Sequence, residues 1–191
     1  MNRVAEAGSR IRDFVNDNDL YTRCFAANHD QWHLLCVAMD TLGDTALALQ
    51  DFEARGFGSE VAGKYLRLYG TLQAVALQQT AIETLYRIFR NDPPPSRPEP
   101  WETIREARHL TVAHPLDKRG ELSEGKLRVM LSRPTISAET YTLLVFPEKT
   151  NPMRVEKIQL GMLYSLYKEE AIALLAIIED AQRQKCWLTT G

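Results

Sequence analysis

The segment SEVAGKYLRLYGTLQAVALQQTAIETLYRIFR, residues 59–90, decides the fold class of this chain. Its apolar residues recur at steps of three and four, which is the periodicity of an α-helix. They form two stripes, one from Tyr65 to Phe89 and the other from Leu66 to Ile88. Because a helix that is apolar on two sides is normally buried, this segment predicts the central helix of a bundle.

Three further segments show the same helical periodicity. They predict helices over Asp30–Ala54, Trp101–Ala113 and Met153–Trp187. Short connections between such helices favour antiparallel neighbours. We therefore predict an all-α fold, an antiparallel up-down bundle of four to five helices that forms a single domain over residues 1–191.

The ends of these helices carry recognisable signals. Asn28 or Asp30 is a suitable N-cap for the helix that begins near residue 30, and Gly56-Phe57-Gly58-Ser59 supplies its stop and the N-cap of the central helix. The third helix should end before Pro115. The last helix follows Pro152, and its apolar face is predicted to contain Ile158, Met162, Leu166, Ala173 and Ile177.

Two stretches interrupt the helical pattern. Five of the nine prolines lie in residues 91–100, so this segment is predicted to be a stiff connector. After a predicted loop over Leu116–Gly125, two short runs rich in Val, Leu and Thr, Lys126–Leu131 and Tyr141–Phe146, predict a small β-hairpin over residues 126–147, inserted before the last long helix.

Composition limits the functional classes. The formal net charge of -2 disfavours a protein that binds polyanions through bulk charge. Residues 1–60 carry a net charge of -5, whereas residues 85–133 carry +3. The N-terminus lacks the apolar core of a secretory signal, and the longest aliphatic run, Ala171–Ile178, is too short to span a bilayer. We therefore expect a cytoplasmic protein with no membrane segment.

The basic stretch contains RHLTVAH, residues 108–114, at the end of the third predicted helix. On a regular helix, Arg108 and His114 flank one apolar face at roughly 120° from each other. Such groups beside a buried face are costly unless they are paired. Either Arg108 pairs with Glu83 or Glu106 and His114 caps the helix, or the two form a joint site that needs a twofold partner or a distorted last turn.

The segment IREARHLTVAHP, residues 104–115, resembles the signature helix of the HEPN superfamily. In that helix an arginine is followed by a polar residue and then by a histidine, with a total gap of four to six residues between the arginine and the histidine. The gap here is five, and His109 takes the polar position, which is often asparagine. Residues 65–74 and Gln78-Gln79 resemble the preceding helix of bacterial HEPN-like proteins. The helix order and a strand insertion before the last helix are also compatible with such proteins.

Many HEPN proteins are metal-independent ribonucleases whose composite site forms where two signature helices meet across a homodimer. The resemblance implies that Arg108 holds the scissile phosphate, that His114 transfers the proton and that His109 orients or assists. It implies RNA as the substrate, a homodimer, and neither metal nor cofactor. Some relatives are toxins silenced by an antitoxin, which extends the expected partners to an antitoxin protein and the expected role to a toxin-antitoxin or defence system.

Further residues are assigned around this motif. Arg105, Lys118 and Arg119 are predicted to contact the RNA substrate. Glu83 and Gln79 on the central helix are predicted to support Arg108. An alternative places the polar residues of that helix, Gln78 among them, in an internal hydrogen-bond network.

Two interpretations without catalysis stay open. In one, an inactive HEPN-like dimer uses its basic stretch to bind RNA, a nucleotide or a protein. In the other, Arg108 and His114 only hold a structural dimer together.

Other chemistries are disfavoured. His29 and His33 with Cys24 and Cys36 offer four zinc ligands, but no Cys-x-x-Cys pair is present and no glutamate follows His29. The glycines do not form a phosphate-binding loop, and no Gly-x-Ser-x-Gly motif supports acyl transfer. The three cysteines lack paired spacing, so we expect reduced thiols.

Overall fold

The computed structural model describes residues 3–93, 95, 99–113, 118–119, 126–148 and 152–188. Its helices are α1 (Arg3–Asp17), α2 (His29–Arg55), α3 (Val61–Arg90), α4 (Glu99–Arg108) and α5 (Leu160–Leu188), with π-helical turns at Tyr21–Phe25 and His109–Ala113 and a 3-10 turn at Arg133–Thr135. Its strands are β1 (Lys118–Arg119), β2 (Lys126–Leu131), β3 (Thr140–Pro147) and β4 (Arg154–Gln159). The described chain is mostly helical, with a small antiparallel sheet.

The chain divides into two compact units. The helical unit comprises residues 1–50, 77–98 and 168–191, and its described elements are helices. The mixed unit comprises residues 51–76 and 99–167 and contains the sheet.

In the helical unit, α1 is an element absent from the predicted set. Its ion pairs Arg3–Glu169 and Arg10–Glu179 show that α1 runs in the same direction as α5, and Arg12 pairs with Asp40 of α2. A sequence signal for α1 exists, because its buried residues follow one another at steps of three and four: Val4, Ala7, Ile11 and Val15.

The core of the mixed unit is aromatic. Contacting rings lie with centroids 5.1 to 6.5 Å apart, and all six side chains are buried: Phe52, Phe57, Trp101, Tyr141, Tyr164 and Tyr167. Gly56 ends α2 with φ +55°, and a Cβ there would clash with the Ala138 carbonyl oxygen. The predicted stop of α2 is thus confirmed, and only glycine fits it.

The predicted caps are partly confirmed. The Asn28 side-chain oxygen accepts a hydrogen bond from the Gln31 amide at 3.1 Å, so Asn28 caps α2. At the start of α3, Glu60 accepts from the amides of Ala62 and Gly63. Glu60 therefore takes the role predicted for Ser59, since its carboxylate reaches two free amides of the first turn.

The antiparallel sheet has the strand order β1-β2-β3-β4. β2 and β3 correspond to the predicted hairpin, but two strands were not predicted. β1 pairs with β2 inside the stretch predicted to be a loop, and β4 occupies the predicted start of the last helix. The β-branched residues Val155 and Ile158 favour the extended backbone of β4 once β3 supplies hydrogen-bond partners, and α5 begins only at Leu160.

The buried faces of two helices differ from the prediction. Met162, Leu166 and Ile177 of α5 are exposed. The buried face is instead Leu160, Tyr164, Tyr167, Ala171, Leu175 and Ile178. On α3, Leu66 and Leu77 are likewise exposed, so the predicted second stripe is buried only in its C-terminal part. Periodicity does not show which of two apolar stripes of one helix becomes buried. Long-range packing determines this.

The proline-rich connector was predicted over residues 91–100, but α4 begins inside it at Glu99. Pro100 is accommodated because the first turn of a helix needs no amide donor at that position. Pro94 and residues 96–98 lie outside the described residues.

Candidate functional site

α4 continues past Arg108 as the π-helical turn His109–Ala113. Trp101, Ile104 and Ala107 are buried at α-helical spacing, and both Leu110 and Thr111 are buried in the turn. A π-turn is wider than an α-turn and often marks a functional position. The regular helix that gave an angle of roughly 120° between Arg108 and His114 is therefore not present over residues 109–113. Distortion of the last turn, one of the two conditions for a joint site, is present.

Arg108 is held by one side chain of α3. Its Nε and one terminal nitrogen donate to Oε1 of Gln73, at 3.3 and 3.0 Å. The guanidinium is planar and has five N–H donors, so these bonds occupy one edge and fix its plane. Among the described residues, no hydrogen bond uses the opposite edge. That edge is able to bind a phosphate through two parallel hydrogen bonds.

The π-turn has a second anchor, in the sheet. The Thr111 hydroxyl lies 3.0 Å from the Tyr141 hydroxyl of β3, and both residues are buried. Burial raises the pKa of Tyr141 to about 12, and the hydrogen bond with Thr111 opposes this rise. Tyr141 is therefore neutral at physiological pH. Together, Arg108 and Thr111 tie this helix end to α3 and β3.

Other predicted site residues lie on the same helix end or outside the described part. Arg105 lies one turn before Arg108, His109 opens the π-turn, and both are half-buried. Lys118 and Arg119 are the two residues of β1, where Lys118 pairs with Leu127 and Arg119 pairs with Lys126. The structure describes their backbone but not their side chains. His114 also lies outside the described residues. The structure thus brings Arg105, Arg108 and His109 to one helix end.

The predicted supporting residues of α3 belong to the helical unit. Gln78, Gln79 and Glu83 are buried there. Gln78 donates to the Thr45 hydroxyl at 3.3 Å, and Glu83 pairs with Arg87 one turn further on at 3.7 Å. The side chain that holds Arg108 is Gln73.

Gln73 and Tyr141 were not identified from the sequence. Gln73 lies within the segment that resembles the preceding HEPN helix, and its polar side chain close to apolar stripes was an available signal. Tyr141 gave no comparable signal, because its contact with Thr111 joins residues 30 positions apart.

The zinc alternative finds no support in the placement of its ligands. Within the described part of the chain, no three His, Cys, Asp or Glu side chains lie close enough to share a metal ion. His29 instead contacts Tyr21, with 3.4 Å between its Nδ1 and the tyrosine hydroxyl.

Comparison with family models, with curated proteins and with solved structures gives no significant match to this chain. Within the described residues, none of the helices has the length and apolar character needed to cross a bilayer.

Proposed function

We propose that this protein is a metal-independent ribonuclease of the HEPN type, with a composite site of Arg108 and His114 at a homodimer interface. The observation that carries the proposal is the Arg108 guanidinium, which Gln73 fixes along one edge. An arginine held in this way is preorganised for a phosphate, because its orientation costs little when the ligand binds.

The chemistry follows from the two residue types. His114 accepts the proton of a ribose 2′-hydroxyl, and the 2′-oxygen attacks the adjacent phosphorus. The bond from phosphorus to the 5′-oxygen breaks, and the leaving oxygen takes up a proton from water. Arg108 stabilises the charge that develops on the phosphate oxygens, and His109 orients the groups. The products are a 2′,3′-cyclic phosphate and a 5′-hydroxyl, and no redox partner is required.

The arrangement of elements supports a HEPN-like up-down bundle. In the helical unit, α1 runs along α5, as the first and fifth helices of an alternating bundle do. Strands also precede the last helix, which is compatible with the resemblance. Cytoplasmic location, an antitoxin partner and a role in defence belong to the same proposal.

A binding module is the second candidate, and the same observation favours it. In this version the edge of Arg108 opposite Gln73 holds an RNA phosphate, with Arg105 one turn away, and no proton is transferred. In this version His114 contributes little, and RNA is bound but not cleaved.

Labelled single-stranded RNA, incubated with the protein in excess chelator, separates these candidates. We expect the wild type to cleave and both Arg108→Ala and His114→Ala to be slower by about 100-fold or more. Arg133→Ala is a matched control, since Arg133 is an exposed arginine of the mixed unit outside the proposed site. Equal cleavage by all four proteins overturns the proposal.

RNA binding by the same variants tests the second candidate. If the wild type binds RNA without cleaving it, and His114→Ala keeps this affinity while Arg108→Ala loses it, the protein is a binding module. Absence of any RNA affinity removes both candidates.

A further inference from the structure

The sheet of the mixed unit has one buried face and one exposed face. Tyr141, Leu143 and Val145 of β3 point to the aromatic core and are buried. The alternating residues of the strands point the other way. We call this second side the outer sheet face, with the apolar residues Met130, Leu144, Phe146 and Val155 and the adjoining Met153.

The apolar residues of the outer sheet face are contiguous. Met130 pairs with Leu144, and Leu144 pairs with Val155, so one row crosses three strands. Met130 is 52% exposed and Val155 is 62% exposed. Phe146 and Met153 extend the patch at one end and are also exposed. A contiguous apolar surface of this kind usually marks an interaction site.

Two cations flank the apolar row. Arg128 lies opposite Phe146, and Lys157 lies opposite Thr142, both on the outer sheet face. Neither has an ion pair with any residue that the structure describes. The strand residue Glu156 lies on the buried side, opposite Leu143. Within the described strands, the face is therefore apolar and basic, and the exposed Glu148 follows directly after β3.

We propose that the outer sheet face is a docking surface for an acidic amphipathic segment of another protein. Apolar side chains of the segment cover the row from Met130 to Val155, and its carboxylates pair with Arg128 and Lys157. The inference is independent of the proposed ribonuclease activity. Charge complementarity selects the partner: in a second copy of the same face, the charged residues of the described strands are again the cations Arg128 and Lys157, and like charges oppose that contact.

A random 16-residue peptide library displayed on phage tests the inference without a presumed sequence. The full chain is the bait, and the Val155→Glu variant serves for counter-selection. We expect the enriched peptides to combine apolar residues with a net negative charge. Their affinity should fall at least about 10-fold in Val155→Glu and in Lys157→Glu, and should weaken between low and high salt.

Leu66→Glu is the matched control, because it places the same charge at an exposed apolar residue of α3 that is not part of the outer sheet face. It should keep the affinity of the wild type, and circular dichroism should show all variants folded. Enrichment of basic or neutral peptides, equal binding by Val155→Glu, or no enrichment at all overturns the inference.

Two direct measurements test whether a second copy of the chain or a membrane surface binds the outer sheet face instead. Self-association that Val155→Glu abolishes assigns the face to a second copy. Binding to vesicles of anionic phospholipid that Val155→Glu abolishes assigns it to a membrane surface. Either result, without binding of acidic peptides, contradicts the proposal.

Discussion

The Arg108 guanidinium depends on one side-chain oxygen, that of Gln73, for its orientation. The site role of Arg108 was predicted from the resemblance of residues 104–115 to the HEPN signature helix, since its position beside an apolar face also allowed an ordinary structural pair. It assigned the support to Glu83 and Gln79, which the structure places in the helical unit. A partner 35 positions away on another helix is set by how α3 and α4 pack, which periodicity does not specify.

Gln73→Leu removes the acceptor and keeps a side chain of similar size. A hydrogen bond to a charged group contributes about 1.5–3 kcal/mol, so we expect cleavage to slow by about 10-fold or more. Because Gln73 is half-buried, the free energy of unfolding should change by less than about 1 kcal/mol. Single-turnover cleavage rates and urea denaturation provide the two measurements.

Gln73→Glu is the rescue variant, since its carboxylate accepts the same hydrogen bonds from Arg108. It should cleave faster than Gln73→Leu. Cleavage by folded Gln73→Leu at the wild-type rate would show that Gln73 does not position the arginine.

The pKa of Tyr141 makes stability depend on alkaline pH. Its folded-state pKa is about 12, above the value of about 10 for an unfolded chain. Below pH 10 the hydroxyl is neutral in both states, and the free energy of unfolding falls by about 2–3 kcal/mol as pH rises from 10 through 12, because only the unfolded chain ionises readily there. Tyr141→Phe should be about 1 kcal/mol less stable at pH 7, through loss of the Thr111 hydrogen bond.

Urea denaturation at pH 7 and at several values between pH 10 and 12 measures this difference. Wild type should lose its advantage over Tyr141→Phe as pH rises. Burial also raises the pKa of Tyr164, so both proteins should lose stability at alkaline pH. Only the difference between their free energies of unfolding reports the titration of Tyr141. A constant difference between the two proteins contradicts the assignment.

At the scale of elements, local periodicity predicted the helices α2 to α4 and the strands β2 and β3. It missed β4, because Val155 and Ile158 also fit an apolar helix face, and only pairing with β3 makes the strand favourable. It missed β1 because two residues carry no pattern of their own. The sequence predicted a regular helix where the structure has the π-turn, and the contacts of Arg108 and Thr111 at this helix end join residues 30 or more positions apart.

The docking of α1 rests partly on two ion pairs with α5 that differ in burial. Arg10 binds Glu179 through two hydrogen bonds, and the Glu179 side chain is only 10% exposed. Arg3 binds Glu169 where both side chains are exposed. Arg10→Ala should lower the free energy of unfolding by about 1–2 kcal/mol, because a buried carboxylate loses its main partner.

Arg3→Ala is the matched control, with an expected loss under about 0.5 kcal/mol, since exposed ion pairs contribute little. Chemical denaturation measures both values. Equal losses in the two variants would show that burial of Glu179 does not set the strength of the Arg10 pair.

At the scale of the whole molecule, the sequence predicted a mostly helical chain, and the structure has this character with a larger sheet than expected. The proposed composite site adds a second chain. A mixture of Arg108→Ala and His114→Ala tests this arrangement, because each mixed dimer contains one site with both Arg108 and His114 intact. After exchange of subunits, the mixture should regain about one quarter of the wild-type cleavage rate.

The controls for the mixture are each variant alone, at the same total concentration. They should remain inactive. A mixture no more active than its components, with subunit exchange demonstrated by labelled chains, places Arg108 and His114 of each site on the same chain.

The chemical nature of the RNA ends tests the central claim most directly. The protein should be incubated with a labelled RNA in excess chelator, and the new 3′ ends should be identified by mass spectrometry. Proton transfer by His114 predicts 2′,3′-cyclic phosphate and 5′-hydroxyl ends that the wild type produces and that His114→Ala does not. Unchanged RNA, or identical ends and rates with His114→Ala, would contradict a ribonuclease that uses Arg108 and His114.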